Sequence, residues 1–382
     1  MIPLRILQVV TIMNRGGLET MLMNYYRNID RRRIQFDFLV HRHERGAYDD
    51  EIEALGGKIY RIMPVKPFAL GRYKAELADF FVNHHEYQIV HAHLNALSFY
   101  ALKAAKKNGA KCTIAHSHIS ITNPNTPLRA KINLKAVFAE YCKLQIGHSC
   151  AYKFACGKEA GKWMYGSKEK FIVMHNAVDC KKFAYNSAIR NQYRMKLGIE
   201  NKFVVGHVAR FGKEKNHDLL LRIFFDIYKM DKNSILLLIG DGVLKNKIIK
   251  QVKLMNLENA VRFLGVREDV SALMQAFDVF VFPSLHEGLP VVSIEAQAAG
   301  LNCFFSDGIS EEAGITDLAE YISLKQSPSF WAERILTKHK EAERKDMSGI
   351  MRRTGYDIQS NAKWLHDFYF NIVKGESKGE SI

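Results

Sequence analysis

Short runs of apolar and β-branched residues alternate with amphipathic segments along the whole chain. In the first half these runs are LRILQVV, IQFDFLV, KIYRI, QIVHAH, KCTIAHS, YKFACG and FIVMHNA. In the second half they are FVVGHVA, SILLLIG, AVRFLG, DVFVFPS, LNCFFS and LAEYISL. Segments with helical spacing lie between them, for example LETMLMNYYRNI and HDLLLRIFFDIYKM. Near-continuous apolar strands that alternate with helices predict parallel sheets covered by helices on both faces.

Two such blocks of similar size predict two Rossmann-like, doubly wound α/β domains. We expect an N-terminal domain over 1–178 and a C-terminal domain over 179–362, with the polar stretch 179–202 as a linker. The segment 363–382 is expected to form a C-terminal helix. An apolar stripe at Ile358, Ala362, Leu365 and Phe368 would allow this last helix to dock on either domain, including back on the first. Doubly wound sheets bind ligands beyond the carboxyl ends of their strands, so two facing domains would enclose one cleft.

Composition narrows the class of protein. The chain of 382 residues is 47% hydrophobic and 25% charged, as in globular proteins, and it has no apolar run of the length of a membrane-spanning helix. The apolar start is predicted to be a strand rather than a signal peptide. Six cysteines without a CxxC pair predict free thiols in a reducing cytoplasm. The net charge is +15, of which residues 1–180 carry +11, so nucleic acid, an anionic membrane surface or a phosphorylated substrate could be the partner.

The segment HEGLPVVSIEAQAAG places two glutamates eight positions apart, Glu287 in a Gly-Leu-Pro loop and Glu295 among apolar residues. Pro290 favours the first turn of a helix, and eight helical residues span about 12 Å. Both carboxylates could therefore contact one extended ligand, with a phosphate at the N-terminus of the helix between them. The alternative is that Glu295 is simply exposed to water.

Two strand-to-helix loops carry candidate anion-binding residues. Gly16 and Gly17 follow the first predicted strand, and Arg210 and Lys215 follow the first strand of the second half. Glycines permit close backbone approach, and two cations suit a diphosphate. A tight turn and two solvated surface cations are the alternatives. The absence of GxGxxG argues against a nicotinamide cofactor.

Four histidines end two successive strands, in VHAHLN and IAHSHIS. These are His91, His93, His116 and His118, and residues two apart lie on the same face of a strand. A metal site is conceivable, but polar strand ends beside a cleft explain the pattern without one. The chain contains no Asp-x-Asp, the commonest carboxylate pattern for holding a divalent cation against a sugar nucleotide.

Taken in order, these motifs resemble the retaining glycosyltransferases of family 4, which have the GT-B fold. The elements RGGLE, HAH, HSH, HNAVD, R…EKN, GDG, FLG…DV and EGLP…E cover nearly the whole chain. The strand FDFLV, the turn SDGISEEAGIT and the helix WAERIL are similar to the EpsF-like branch of exopolysaccharide and capsule enzymes. One departure is the alanine of HNAVD, where glycine is common in the family.

The resemblance implies a role for each matching residue. Arg210 and Lys215 would bind the donor diphosphate and stabilise the leaving group, and Glu295 would bind the ribose. Glu287 would contact the transferred sugar or the phosphate, and His116 would stand near the anomeric carbon. Further donor-binding positions would be Gly16, Gly17, Gly265, Val266, Arg267, Gly288 and Leu289, with His118, His93 and Asn176 as additional candidates.

The resemblance also implies the reaction. A sugar would pass from a nucleotide sugar, with UDP as the expected nucleotide, to a hydroxyl of a lipid-linked glycan, without a metal ion or another cofactor. The acceptor would bind the N-terminal domain. An anionic membrane surface could meet a basic helix at the inner face of the membrane, although ordinary packing of that helix is the alternative; its cations are Arg129, Lys131, Lys135 and Lys143.

Three other functions are alternatives to a glycosyltransferase. A GT-B epimerase or hydrolase of sugar nucleotides would share the same donor site. A nucleic-acid-binding protein would use the positive charge, but no recognition helix or stacking-aromatic motif supports it, and no nucleic acid is expected as a partner. A binding-only relative is disfavoured because every element of the donor site is present.

Overall fold

The computed structural model describes residues 2–118, 134–341 and 344–375. It divides into two compact units. The first contains Met1–Ala177 and Ile358–Ile382, and the second contains Val178–Asp357. The chain therefore leaves the first unit after Ala177 and returns to it at Ile358.

The first unit is built on a parallel sheet that contains seven strands among the described residues, in the order β3-β2-β1-β4-β5-β6-β7. The strand order reverses between β1 and β4, which is where open α/β sheets bind ligands. The strands are β1 (Leu4–Val10), β2 (Ile34–Val40), β3 (Ile59–Arg61), β4 (Ile89–Ala92), β5 (Cys112–Ser117), β6 (Tyr152–Ala155) and β7 (Ile172–Val173).

Helices cover both faces of this sheet. Because successive side chains of a strand point to opposite faces, Ile6 and Val10 belong to one apolar core and Leu7 and Val9 to another. The helices are α1 (Gly17–Asn28), α2 (Asp49–Ala54), α3 (Leu70–Asn83), α4 (Ser98–Lys107), α5 (Leu134–Ser149) and α6 (Lys158–Tyr165).

The second unit repeats the architecture: its described part contains a parallel sheet of six strands in the order β10-β9-β8-β11-β12-β13, which reverses between β8 and β11. Its strands are β8 (Phe203–Val208), β9 (Ser234–Ile239), β10 (Val261–Gly265), β11 (Val279–Phe282), β12 (Asn302–Ser306) and β13 (Ala319–Ile322). Its helices are α7 (Cys180–Phe183), α8 (Ser187–Leu197), α9 (His217–Met230), α10 (Lys245–Leu254), α11 (Val270–Ala276), α12 (Val291–Ala298), α13 (Pro328–Glu341) and α14 (Ser348–Arg353). The predicted fold class, α/β with two parallel-sheet domains, is confirmed.

The polar stretch 179–202 is not a linker. It forms α7 and α8, and its buried apolar side chains Cys180, Phe183 and Ile199 belong to the core of the second unit. The buried Arg194 is held by Asp278, whose Oδ1 lies 3.1 Å from its Nη1. A buried, paired arginine makes such a segment look solvated in the sequence although it packs against the domain.

The last helix, α15 (Ile358–Lys374), belongs to the first unit. It begins five residues before the predicted start at 363, and the second unit correspondingly ends at Asp357 rather than at 362. The reason is that the apolar stripe begins at Ile358 itself, and all of its members lie in a core cluster of the first unit: Ile358, Ala362, Leu365, Phe368 and Tyr369. In the described ranges, no helix combines the length and the apolar character needed to cross a membrane.

Candidate active site

The loop between β11 and α12 is fixed by its neighbour in the sheet. The Glu287 N–H donates to the carbonyl of Gly308 at 3.0 Å, and the Ser310 N–H donates to the carbonyl of Glu287 at 3.1 Å. Gly308 must be small, because a Cβ there would lie 2.4 Å from the carbonyl oxygen of Leu285. Glu287, Gly288 and Leu289 are thereby held immediately before Pro290, which caps α12.

A lysine of the loop after β8 meets this loop. Lys215 forms an ion pair with Glu287, and their side chains are only 15% and 18% exposed. The ammonium group also lies 5.0 Å from the ring centroid of Phe282. The Leu285 N–H donates to the Glu214 carbonyl at 2.7 Å, so backbone contacts join the two loops as well. The two loops follow β8 and β11, the strands between which the sheet order reverses.

The other predicted phosphate-binding cation has a different environment. The Arg210 side chain is 77% exposed, and its Nη2 lies 3.0 Å from a carboxylate oxygen of Glu214. Arg210 and Lys215 therefore belong to one loop but pair with different carboxylates. An exposed arginine with one carboxylate partner can rearrange toward an anionic ligand at little free-energy cost.

Glu295 lies on α12 between the fully buried Ile294 and Ala296. Its side chain is partly exposed, and among the described residues its carboxyl group makes no hydrogen bond. Burial raises the pKa of Glu295 to about 7, although the nearby Lys182 ammonium lowers it. The carboxyl group thus retains its full capacity to accept hydrogen bonds from a ligand.

The predicted base-binding segment follows β10. Gly265 ends that strand at a φ of +69°, a conformation that favours glycine, and its carbonyl accepts the Gly240 N–H at 2.8 Å. Val266 is exposed. Arg267 forms two hydrogen bonds, of 2.8 and 2.6 Å, with the carboxylate of Asp269. Its guanidinium therefore orders the loop.

Gly16 and Gly17 form the start of α1 after β1, with Gly16 as the N-cap. A Cβ at Gly16 would lie 2.3 Å from Oε2 of Glu19. Burial raises the pKa of Glu19, and the Glu19 backbone N–H partly offsets that effect. An anion at this helix N-terminus would therefore have a carboxyl group as its neighbour. Asn176 is buried in a segment tied to α1, since the neighbouring Ala177 carbonyl accepts the Asn24 amide at 3.1 Å.

The histidines at the ends of β4 and β5 lie beside one another in the structure. His91 Nε2 lies 3.2 Å from His116 Nδ1, and His93 Nδ1 lies 2.9 Å from His118 Nε2. His91, His93 and His116 are buried, whereas His118 is partly exposed. Burial lowers the pKa of each ring, to about 3 for His118 and to well below the ordinary value of 6.5 for the other three, so all four are neutral near pH 7.

A metal ion could be held by one group among the described residues. His91, His93 and His116 each offer a nitrogen within 4.8 Å of the others. Both nitrogens of His91 and of His93 are already hydrogen-bonded to neighbouring side chains. A metal would have to replace several of these bonds, and metal independence remains a prediction.

Several site-supporting residues were missed from the sequence. Gln8 on β1 accepts a hydrogen bond from His93, and Gln297 on α12 fixes the segment after β12 by accepting the N–H groups of Ile315 and Thr316. Gly240 lies so close to the loop after β8 that a Cβ would be 2.0 Å from a backbone oxygen. The signal available for Gly240 was its place in GDG after a strand; a single glutamine in an apolar stretch carries none.

The first unit contains a cavity of about 690 Å³ at the carboxyl ends of its strands. Apolar side chains of two loops form part of its wall, and Arg42 and Lys66 add positive charge. The lining residues are Thr11, His41, Arg42, His43, Glu44, Met63, Pro64, Val65, Lys66, Leu94 and Leu97.

Of the predicted membrane-facing cations, Arg129 and Lys131 lie outside the described residues, as does the side chain of Lys135. Lys143 on α5 lies 3.5 Å from Glu140 and 5.0 Å from the ring of Trp163. The same helix exposes apolar side chains at Val137, Tyr141 and Leu144.

Comparison with known protein families gives two matches. The model for "Glycosyltransferase Family 4" matches residues 15–182, and the model for "Glycosyl transferases group 1" matches residues 189–341. Together they cover most of both parallel-sheet units.

Individual relatives agree with these matches. The chain is 35% identical over 376 residues to the Bacillus subtilis glycosyltransferase EpsF, with 96% of each chain covered. It is 30% identical over 231 residues, 58% of each chain, to an Escherichia coli enzyme named UDP-Gal:alpha-D-GlcNAc-diphosphoundecaprenol alpha-1,3-galactosyltransferase. Among solved structures, Anabaena HepE in complex with UDP-glucose has a TM-score of 0.70 at 19% identity, with 97% of each chain covered.

Proposed function

This chain belongs to the family 4 glycosyltransferases of GT-B fold and of the EpsF type, and from that premise we propose that it moves a hexose from a UDP-sugar to a hydroxyl of a lipid-linked glycan with retention of configuration. The observation that carries the proposal is the partly buried Lys215–Glu287 pair at the reversal point of the second sheet, with Glu295 eight positions after Glu287.

Lys215 and Arg210 are proposed to bind the donor diphosphate. Glu287 holds the Lys215 ammonium in place and offsets its charge, which keeps a partly buried cation in position. A bound diphosphate would share that cation and leave Glu287 free to accept a hydroxyl of the transferred sugar. The exposed Arg210 would move from Glu214 to the phosphate.

The remaining donor contacts are proposed from the positions of residues near α12, β10 and α1. Glu295 is proposed to accept both ribose hydroxyls, because a carboxylate flanked by buried apolar residues needs hydrogen-bond donors. The N-terminus of α12 would face a phosphate through the segment of Gly288 and Leu289. The base is proposed to lie along the backbone of 265–267, and the loop of Gly16 and Gly17 to approach the distal phosphate.

Charge stabilisation by these side chains would allow the reaction to proceed without a metal ion or another cofactor. As the glycosidic bond breaks, negative charge grows on the departing diphosphate, and preorganised cations stabilise that charge more than they stabilise the ground state. The leaving phosphate oxygen would take the proton of the acceptor hydroxyl on the same face, which gives retention.

The nucleotide and the acceptor are proposed from relatives and from the cavity. HepE has been crystallised with UDP-glucose, and the name of the E. coli relative specifies a UDP-sugar and a diphosphoundecaprenol-linked acceptor. A cavity with both apolar walls and basic residues suits an anionic, lipid-linked glycan. We propose a role in exopolysaccharide or capsule synthesis, in the cytoplasm at the inner face of the membrane. The exposed Val137, Tyr141 and Leu144 of α5 would contribute to peripheral binding there.

The first experiment is a thermal-shift screen of the purified protein with UDP-, GDP- and ADP-sugars, since a ligand of the folded state raises its apparent stability. The stabilising donor is then incubated with diphosphoundecaprenol-linked sugars, with and without EDTA, and the anomeric configuration of the product is determined by NMR. We expect transfer that survives EDTA and gives the configuration of the donor.

Two results would redirect the assignment. Rapid consumption of the donor without an acceptor would favour an epimerase or a hydrolase. Full activity of Lys215→Ala would contradict the proposed diphosphate site.

A further inference from the structure

A row of buried polar side chains crosses β1, β4 and β5 of the first unit and ends at α15. Gln8 is 1% exposed and pairs in register with His91 on the neighbouring strand. His93 and His116 are likewise buried, and the rings of His116 and His118 stack with centroids 4.1 Å apart. Buried polar groups need hydrogen-bond partners, so the arrangement of protons in this row is constrained by its contacts.

The contacts of Gln8 determine the proton positions on His93 and His118. Its Oε1 lies 2.9 Å from His93 Nε2, and an amide oxygen only accepts, so His93 Nε2 must carry the proton. A neutral imidazole has one donor and one acceptor, so His93 Nδ1 carries a lone pair. That atom lies 2.9 Å from His118 Nε2, which therefore donates. The lone pair of His118 is then on Nδ1.

The amide nitrogen of Gln8 contacts a second set of side chains in the row. Gln8 Nε2 lies 3.5 Å from the hydroxyl of Tyr369 on α15, which lies 2.8 Å from His91 Nδ1. His91 Nε2 in turn contacts His116. The amide oxygen and nitrogen of Gln8 thus face different partners, and the return of α15 to the first unit supplies one of them.

The four histidines differ in their access to a ligand. His116 is fully buried, whereas His118 is partly exposed. The backbone N–H of His118 donates to the side-chain oxygen of Asn95 at 2.8 Å, and Asn95 itself has a φ of +51°, in the left-handed region. His118 is therefore held at the accessible end of the row, with His116 stacked behind it.

We propose that Gln8 and His93 are positioning residues that hold His118 as the Nε2-protonated neutral imidazole, so that its Nδ1 accepts a hydrogen bond from a hydroxyl of the bound substrate. The identity of that hydroxyl, on the donor sugar or on the acceptor, rests on the proposed glycosyltransferase reaction. His118 rather than His116 is then the histidine that touches substrate. The tautomer itself is a property of the free protein.

The test of the tautomer uses the whole protein labelled with ¹⁵N-histidine. Two-bond ¹H–¹⁵N spectra show which ring nitrogen carries a proton, and His118→Ala identifies the His118 signals. We expect a protonated Nε2 and an unprotonated Nδ1. Gln8→Met removes the amide oxygen while keeping the side-chain length, so His118 should become a mixture of tautomers. Gln8→Glu keeps an acceptor facing His93 and should retain the wild-type tautomer.

A second histidine in the same spectrum controls for loss of structure. His41 Nδ1 lies 2.8 Å from the Val10 carbonyl, away from the row, so its signals should be unchanged in both Gln8 variants. A wild-type His118 protonated at Nδ1 would overturn the proposal, and so would a Gln8→Met spectrum with unaltered His118 signals. If Gln8→Met loses the His41 signals, the wild-type and Gln8→Glu spectra decide.

Measurements of kcat and KM then show whether Gln8 positions His118 for the reaction or only contributes to packing. We expect His118→Ala to lower kcat about 10²-fold, the size typical for one preorganised hydrogen-bonding group. Gln8→Met should lower kcat with little change in KM for the donor, and Gln8→Glu should restore it. Equal kcat for Gln8→Met and wild type would contradict a positioning role. A protein that transfers no sugar at all but shows the expected tautomers would overturn the proposed reaction and leave the histidine assignment intact.

Discussion

Replacing Glu295 with glutamine should make the second unit more stable at alkaline pH and leave it nearly unchanged at acidic pH. Burial raises the pKa of this carboxyl group from an ordinary value of 4.5 to about 7. The folded state therefore binds a proton more tightly than the unfolded chain. At 1.36 kcal/mol per pKa unit, this difference corresponds to roughly 3 kcal/mol of unfolding free energy.

The free energy of unfolding changes with pH because the folded and unfolded states bind different numbers of protons. Between pH 4.5 and 7 the folded state holds the proton and the unfolded chain has lost it, so the free energy of unfolding falls as pH rises and stays low above pH 7. Glutamine carries no charge at any pH and lacks this loss. The gain of Glu295→Gln over wild type should therefore grow from near zero at pH 4.5 to roughly 3 kcal/mol at pH 8.

The measurement is urea unfolding of both proteins between pH 4.5 and pH 8. Of the three tryptophans in the chain, Trp331 is fully buried in the second unit, so Trp163→Phe and Trp364→Phe make its fluorescence report on that unit alone. Glu258→Gln, at an exposed position of the same unit, is the matched control and should give no pH-dependent gain. A gain independent of pH, or a loss of stability at pH 8, would refute the reasoning that ionised Glu295 is poorly solvated.

Three further predictions concern the same unit. A UDP-sugar whose ribose donates to Glu295 favours the ionised carboxylate, so its Kd from calorimetry should be about tenfold weaker at pH 6 than at pH 8, and Glu295→Gln should abolish that dependence. Lys215→Met should lower kcat/KM about 10²–10³-fold, because it removes the cation that stabilises the leaving group. A double-mutant cycle with Glu287→Gln, measured by thermal unfolding, should show a coupling free energy of about 1–3 kcal/mol between the two side chains. Additive effects of the two substitutions would argue against the ion pair. Gly240→Ala should destabilise by more than about 2 kcal/mol, because its Cβ would lie 2.0 Å from a backbone oxygen, whereas Gly198→Ala, also at positive φ but with open space around the Cβ, should lose only about 1 kcal/mol in the same denaturation assay.

The strands could be predicted because they are buried on both faces. DVFVFPS, for example, contains β11 (Val279–Phe282), and every residue of that strand is buried. A parallel strand covered by helices on both sides must be apolar at every position, and such a run is visible in one dimension. The segment 179–202 was wrongly predicted to be a linker because its helices are mostly polar and bury only a few side chains.

The candidate site was partly predictable for the same local reasons. The strand-to-helix loops placed Lys215 and Glu287 at strand ends, where ligands bind. Their pairing joins residues 72 positions apart, and nothing in either loop specifies it. Gln8 is a stronger case, since one polar residue inside an apolar strand gives no indication of its partners.

By itself, the sequence determined the two α/β units, the order of their strands and helices, and the family to which the chain belongs, because periodicity and loop motifs are local. Only the tertiary structure decided which carboxylate meets Lys215, that α15 returns to the first unit, and that His116 is buried while His118 remains accessible. These features depend on side chains that approach across a sheet from distant parts of the chain. Their hydrogen bonds, burial and protonation are set by that three-dimensional packing.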